Sequence, residues 1–241
     1  MSATERPAER RVSARTAVVW DALGPLLDGG SPLDVLDIGG GTGGSAVRIA
    51  EAGHRVTVVD PSPDALAALA RRAREVDVHV VARQGDLSSL LDVVEPGSVD
   101  LVLCHGVLEV VPDTGAALRA IRTVLRPGGR LSLLVAQRSA AVLARAMAGH
   151  FGQAAALLDE TAPVGRAGRR FTHDEAAAAL AAAGLTVTAV HGVRVFADLV
   201  PGSLLDLEPG ATAALAELEQ AVAQRADYRS LATQLHFTAE L

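Results

Sequence analysis

Between Leu33 and Ala136, short runs of β-branched and aliphatic residues alternate with alanine-rich stretches of helical periodicity. The runs LDVLDI (33–38), HRVTVVD (54–60), VHVVARQ (78–84), VDLVLC (99–104) and GRLSLLVA (129–136) read as strands. Their near-continuous apolar character suits strands buried on both faces. Helices are expected from near Ser45, over 62–74 with Pro63 in the first turn, and over 114–125, ending before Pro127 and Gly128. Such a βαβα rhythm implies a parallel sheet flanked by helices, with right-handed crossovers.

Residues 137–171 break that rhythm with a helical stretch, AAVLARAMA, and a Gly/Arg-rich loop, APVGRAGRR. Thr172 and Glu175 then have capping-box spacing for the helix DEAAAALAAAG, which ends at Gly184 before a strand LTVTAV (185–190). An exposed helix over 211–225 precedes LATQLHFTAEL, which supplies a last strand inserted antiparallel at the sheet edge. The expected fold is α/β and Rossmann-like: a doubly wound, seven-stranded, mostly parallel sheet with an antiparallel edge strand and an insertion after strand 5. It forms one domain over 1–241, with an N-terminal helix or cap at 1–30 and a substrate cap at 137–171.

Composition narrows the function classes. No window reaches the roughly 18–20 uninterrupted apolar residues of a membrane span, so a soluble cytoplasmic protein is expected. Cys104 is the sole cysteine, which excludes an internal disulfide and a multi-thiolate metal site. All 22 basic residues are arginine against 28 acids, a net charge of −6. Any contact with nucleic acid therefore needs a local arginine patch, since phosphate binding depends on neutralising cations.

The densest chemistry is Asp37-Ile-Gly-Gly-Gly-Thr-Gly43, directly after the first strand. Gly39, Gly41 and Gly44 also satisfy G-x-G-x-x-G, and Asp60 ends the second strand where a nicotinamide nucleotide's ribose would want a carboxylate. Asp37 separates the readings: a carboxylate at the tip of the first strand repels a pyrophosphate but tolerates an ammonium. S-adenosylmethionine carries an ammonium and a sulfonium and no phosphate. Asp60 is then expected to accept the ribose hydroxyls, and Asp86, in QGDL with Leu87, to take the adenine amino group.

With these residues in place the chain resembles the class I S-adenosylmethionine-dependent methyltransferases, through DIGGGTG, VVD, GDL, DLVLCHGVLEVVPD and LRPGGRLSLL over residues 33–136. It is similar in particular to the tRNA 5-carboxymethoxyuridine methyltransferases, through RTAVVW (15–20), LCHGVLEVV (103–111), HGVRVFAD (191–198) and the terminal LHF. That resemblance implies that Arg15 reaches the cofactor's methionine carboxylate, that Gly39, Gly40, Gly41 and Gly43 line its loop, and that His105 sits beside the sulfonium. The implied partner is a tRNA anticodon loop.

Arg194 stands between apolar Val193 and Val195, an odd place for a charge unless it meets an anion. The acceptor's carboxylate and a nearby acid such as Asp198 both answer that need. Arg166, Arg169 and Arg170 cluster in the insertion, where they could contact phosphates or belong to a solvated surface loop. A methyltransferase for a small metabolite is the alternative; an oxidoreductase or non-catalytic nucleotide-binding module is the remote one. No metal site is expected.

Overall fold

The computed structural model describes residues 7–158, 168–207 and 210–241, with the side chains of residues 7–15, 206 and 207 outside that description. The elements run α1 (Pro7–Leu27), β1 (Asp34–Ile38), α2 (Gly44–Glu51), β2 (Arg55–Asp60), α3 (Pro63–Glu75), β3 (Val80–Gln84), α4 (Leu90–Val93), β4 (Val99–His105), α5 (Thr114–Val124) and β5 (Leu125–Ala136). They continue through α6 (Arg138–Met147), α7 (Phe151–Ala156), α8 (His173–Ala182), β6 (Thr186–Val193), α9 (Gly202–Leu207), α10 (Ala211–Ala223), α11 (Ala226–Arg229) and β7 (Gln234–Glu240).

Seven strands form one sheet in the order β3-β2-β1-β4-β5-β7-β6. The pairs β1–β2, β1–β4, β2–β3 and β4–β5 are parallel. Beside β5, Leu241 N–H donates to Gly129 O and Gln137 N–H to Thr233 O, so numbers rise on one side as they fall on the other and β7 is antiparallel. The Thr188 and Thr238 hydroxyls meet at 2.9 Å and the His191 and His236 rings at 5.6 Å, the same inverse relation between β6 and β7. The last strand thus lies one place in from the edge, and β6 is outermost.

Local chemistry explains the element boundaries. The Ser62 hydroxyl accepts Ala65 N–H at 3.2 Å, with Pro63 in the first turn of α3. Asp113 caps α5 through Ala116 N–H at 2.8 Å. After α8, Gly184 takes φ 77°, and Leu185 N–H returns to Leu180 O at 3.0 Å, the Schellman closure expected of a glycine in that place. β5 starts at Leu125 and not at Gly129: Pro127–Gly129 form a bulge, and the β4 register jumps from Val99↔Leu125 to Leu101↔Arg130.

Two expectations are corrected. β3 is largely exposed, with Val81 at 36%, because it is the outermost strand and its crossover carries only the four-residue α4. Helix α10 is not a solvent helix: Leu215, Glu219, Val222 and Ala223 are buried.

The core lies in the middle strands, where Leu36, Ile38, Val58, Val59, Leu101, Val102, Leu103 and Leu133 are 0–1% exposed. At the strands' amino ends Arg126 bridges Asp34 at 2.9 Å and Asp100 at 2.7 Å, and Asp34 also takes Arg55 at 2.6 Å. Contacts group the chain into two compact units, one of Leu26–Val135, His173–Ala189 and Phe237–Leu241, the other of Met1–Pro25, Ala136–Thr172 and Val190–His236.

Candidate functional site

At the carboxyl ends of β1 and β2 the chain builds a cradle from glycines and two buried acids. Gly39, Gly41 and Gly43 have φ of 69°, 55° and 78°, a left-handed backbone that L side chains seldom adopt. Gly43 N–H closes on Gly40 O at 2.9 Å, and Val47 N–H on Gly43 O at 3.0 Å opens α2. Space is limiting as well as φ: a Cβ on Gly39 would meet Val107 Cγ2 at 2.4 Å, and one on Gly40 would meet Asp37 Oδ2 at 2.6 Å.

Asp37 and Asp60, only 4% and 7% exposed, stand at this cradle. Burial, and then the charge of Asp60, push the Asp37 carboxyl up to about 7. A cation arriving beside it relieves that penalty, whereas a phosphate adds to it. Asp60 Oδ2 accepts Gly41 N–H at 2.9 Å and Oδ1 accepts Ser62 N–H at 2.8 Å. A carboxylate offers about four lone-pair positions, so Asp60 keeps acceptor capacity for hydroxyls after both bonds.

Beyond Gly39 and Val59 a cavity of about 650 Å³ opens, lined by Ile38, Gly39, Pro61, Asp86, Leu87, Leu91, Val107 and Val110 among others. Leu87 is 3% exposed, a fixed apolar wall. Asp86 is exposed, and Ser88 N–H, Ser88 Oγ, Ser89 N–H and Ser89 Oγ all contact its Oδ1, which fixes the turn into α4. The Ser88 contacts hold this carboxyl below the usual range. Asp86 thus serves the turn through Oδ1 and also lines the cavity. Val107 and Val110, the latter 68% exposed, went unmarked in the sequence reading; their signal is the apolar run directly after the tip of β4.

His105 closes β4 and meets the Ser132 hydroxyl on β5 through Nε2 at 2.8 Å. Burial pushes it down to about 4, so the imidazole is neutral at neutral pH. Cys104 is buried, its thiol pushed up by burial and by the charges of Glu109 and Asp37, and it packs as an apolar group. Among the described residues no cluster of His, Cys, Asp and Glu is placed to hold a metal ion.

A second cleft of about 710 Å³ lies among Asp34, Gly53, His54, Arg55, Asp77 and His79, at the amino ends of β1 and β2. It includes none of the cradle residues, and ligands of open α/β sheets bind at the carboxyl ends, so the smaller cavity is the candidate site.

The remaining predicted residues belong to the other unit. Arg15 lies in α1, its side chain outside the described residues, as is Arg166. Arg169 is exposed; Arg170 is half-buried, and its carbonyl accepts Arg138 Nη2 at 3.3 Å. Arg194 answers its need for an anion with Asp198, through Nε at 2.8 Å and through Nη2, and adds Gln234 Oε1 at 3.3 Å. Glu219, which the sequence reading missed, is 1% exposed and accepts the amides of Val195, Phe196 and Ala197 at 2.8, 2.7 and 2.7 Å.

Comparison with known proteins places this geometry. The methyltransferase domain pattern matches residues 36–133, which holds the cradle and β4. The tRNA 5-carboxymethoxyuridine methyltransferase of Escherichia coli K12 is 32% identical over 240 residues, covering 93% of this chain and 87% of that one. The ubiquinone biosynthesis O-methyltransferase of Xanthomonas euvesicatoria is 36% identical over 115 residues, 48% of each chain. The crystal structure of an S-adenosylmethionine-dependent methyltransferase from Mesorhizobium loti superposes with a TM-score of 0.62 at 20% identity, covering 95% of this chain and all of that one, and so shares its fold.

Proposed function

The chain belongs to the S-adenosylmethionine-dependent methyltransferases, and from that premise we propose that it esterifies the carboxylate of carboxymethoxyuridine at the wobble position of tRNA, in the cytoplasm. The observation that carries this reading is the extent of the likeness to the E. coli tRNA enzyme. It covers 93% of the chain, well beyond the matched core at 36–133, and takes in most of the unit in which an acceptor cap is expected. The match to the ubiquinone enzyme stops at 48% of the chain.

The cradle residues fit the cofactor. Asp37, costly as a buried anion beside Asp60, receives the ammonium; Asp60 accepts the ribose hydroxyls with its remaining lone pairs; Asp86 and Leu87 hold the adenine end. Gly39 and Gly40 keep the loop free of side chains where the ligand approaches. When bound, S-adenosylmethionine supplies a methyl carbon already activated by a positive sulfur. His105, neutral and tied to Ser132, adds no positive charge beside it. By the resemblance, Arg15 is assigned to the methionine carboxylate, and Arg166, Arg169 and Arg170 are assigned to phosphates of the anticodon loop.

A carboxylate acceptor is ionised at neutral pH and needs no general base. The protein's task is alignment at near-attack distance and exclusion of water. The wobble base has to be unstacked from its loop to reach the site. The test is transfer of labelled methyl from S-adenosylmethionine into bulk tRNA and, separately, into a small-metabolite extract. Label in tRNA that mild alkali releases is the expected result; label in metabolites alone overturns the tRNA acceptor and favours the small-molecule reading.

A further inference from the structure

We propose that the cavity at the adenine end continues past the base as a second subsite, an apolar groove between α4 and α5 that takes an aryl group carried on the adenine amino nitrogen. The inference rests on the cofactor placement above and extends it to a class of enlarged adenosyl ligands.

The cavity is larger than the group assigned to it. Its volume is about 650 Å³, and pockets of about 300–1,000 Å³ hold whole drug-sized ligands. Asp37 and Asp60, which serve the ammonium and the ribose in the proposed function, do not line it. The base alone is left to occupy it, and a bicyclic base does not fill such a volume.

The walls give the surplus space a direction. Gly39 and Leu87 mark the end at the cradle, while Leu91 on α4 and Ala116, Ala120 and Thr123 on α5 carry the lining away from it. From Ala116 to Thr123 is about 10 Å of helix. Thr123 O accepts Gly97 N–H at 2.9 Å just before β4 begins, so the far end lies toward the opposite edge of the sheet. With four residues against the eleven of α5, α4 cannot pair with that helix along its length.

The same walls select an apolar, aromatic group. Leu91 is 49% exposed and Val110 68%, large side chains that such a ligand takes out of water. Ala116 and Ala120 bring no polar side-chain atom, and the Thr123 hydroxyl is engaged within its helix, donating to Arg119 O at 2.9 Å. Arg119 also lines the groove and is exposed, a cation that favours an aromatic ring over an alkyl chain. An amine with one substituent keeps one N–H, so Asp86 still has a donor to accept from.

The test is calorimetric binding of S-adenosylhomocysteine and of its N6-benzyl analogue to wild type, Ala116→Leu and Ala120→Leu. Neither alanine belongs to the cradle, and leucine is a good helix former. Wild type is expected to bind the benzyl analogue at least as tightly as S-adenosylhomocysteine. The leucine variants are expected to weaken the analogue by about tenfold, with S-adenosylhomocysteine affinity within about twofold of wild type. If wild type binds the analogue more weakly than S-adenosylhomocysteine, or if neither leucine lowers the ratio of the two affinities, the groove inference is overturned while the cofactor reading stands. If wild type does not bind S-adenosylhomocysteine, that reading falls first and the inference with it.

Discussion

Asp60 Oδ2 accepts the Gly41 amide at 2.9 Å, so the tip of β2 holds the turn that follows β1. One carboxylate thus shapes the cradle and, in the proposed function, also serves the ribose. Asp60→Ala removes charge-assisted bonds on both sides, and bonds of this type contribute about 1.5–3 kcal/mol each. The dissociation constant for S-adenosylmethionine is expected to rise by roughly a hundredfold or more, measured by calorimetry. Unchanged affinity would mean that the ribose lies elsewhere.

If Asp37 receives the cofactor's ammonium as proposed, cofactor binding is expected to depend on pH. The Asp37 carboxyl, pushed up to about 7, keeps its proton in the folded protein well above the pH at which an unfolded aspartate loses it. The stability this confers on the ligand-free protein is fully present at acid pH and is lost as the pH rises toward about 7. Asp37→Asn removes that slope, so its urea midpoint should exceed that of wild type above neutrality. A bound ammonium favours the carboxylate, so wild-type affinity for S-adenosylhomocysteine should climb between about pH 6 and pH 8 while the variant stays weak and flat.

Gly43 is constrained twice, by φ 78° and by Leu69, whose Cδ1 lies 2.1 Å from where a Cβ would be. Gly43→Ala is expected to cost about 2 kcal/mol or more in urea unfolding, from left-handed strain and overpacking together. Adding Leu69→Ala relieves only the overpacking. The double variant should therefore lose less than the sum of the two single losses; strict additivity would deny the contact.

Among the described residues, Glu219 is the acceptor of the amides of Val195, Phe196 and Ala197. Glu219→Ala orphans these three donors in and beside a buried turn and should destabilise the protein by about 3 kcal/mol or more. Glu219→Gln, whose amide oxygen still accepts, should lose less. Equal losses would show that cavity formation, not the amide contacts, sets the cost.

What the sequence disclosed follows from how local each feature is. The inner strands of the parallel half were legible because burial on both faces writes itself as apolar runs such as VTVV and LVLC. The cradle was legible because its glycines and Asp37 are neighbours in the chain, and Asp60 ends the adjoining strand. Glu219 was not: one of two acids on an alanine-rich helix, it looks solvated until tertiary packing buries it under a turn some twenty residues earlier. Asp198 was among the acids named as answers to Arg194, but only coordinates show that one oxygen takes two of its nitrogens. Asp86 shows the converse, since turn formation and a place at the cavity coexist in one residue.

The order β5-β7-β6 also dictates a sequence of events during synthesis. On a ribosome, β6 emerges before the strand that must separate it from β5, and it has no other neighbour in the sheet. A nascent chain that has not yet delivered Gln234–Glu240 carries two open strand edges at once, a state prone to mispairing with other chains. Closing both with one late segment is a long-range event, intrinsically slow compared with the local βα pairings before it. Substitutions in β7 should therefore tell on expression yield and chaperone demand out of proportion to their distance from the cofactor.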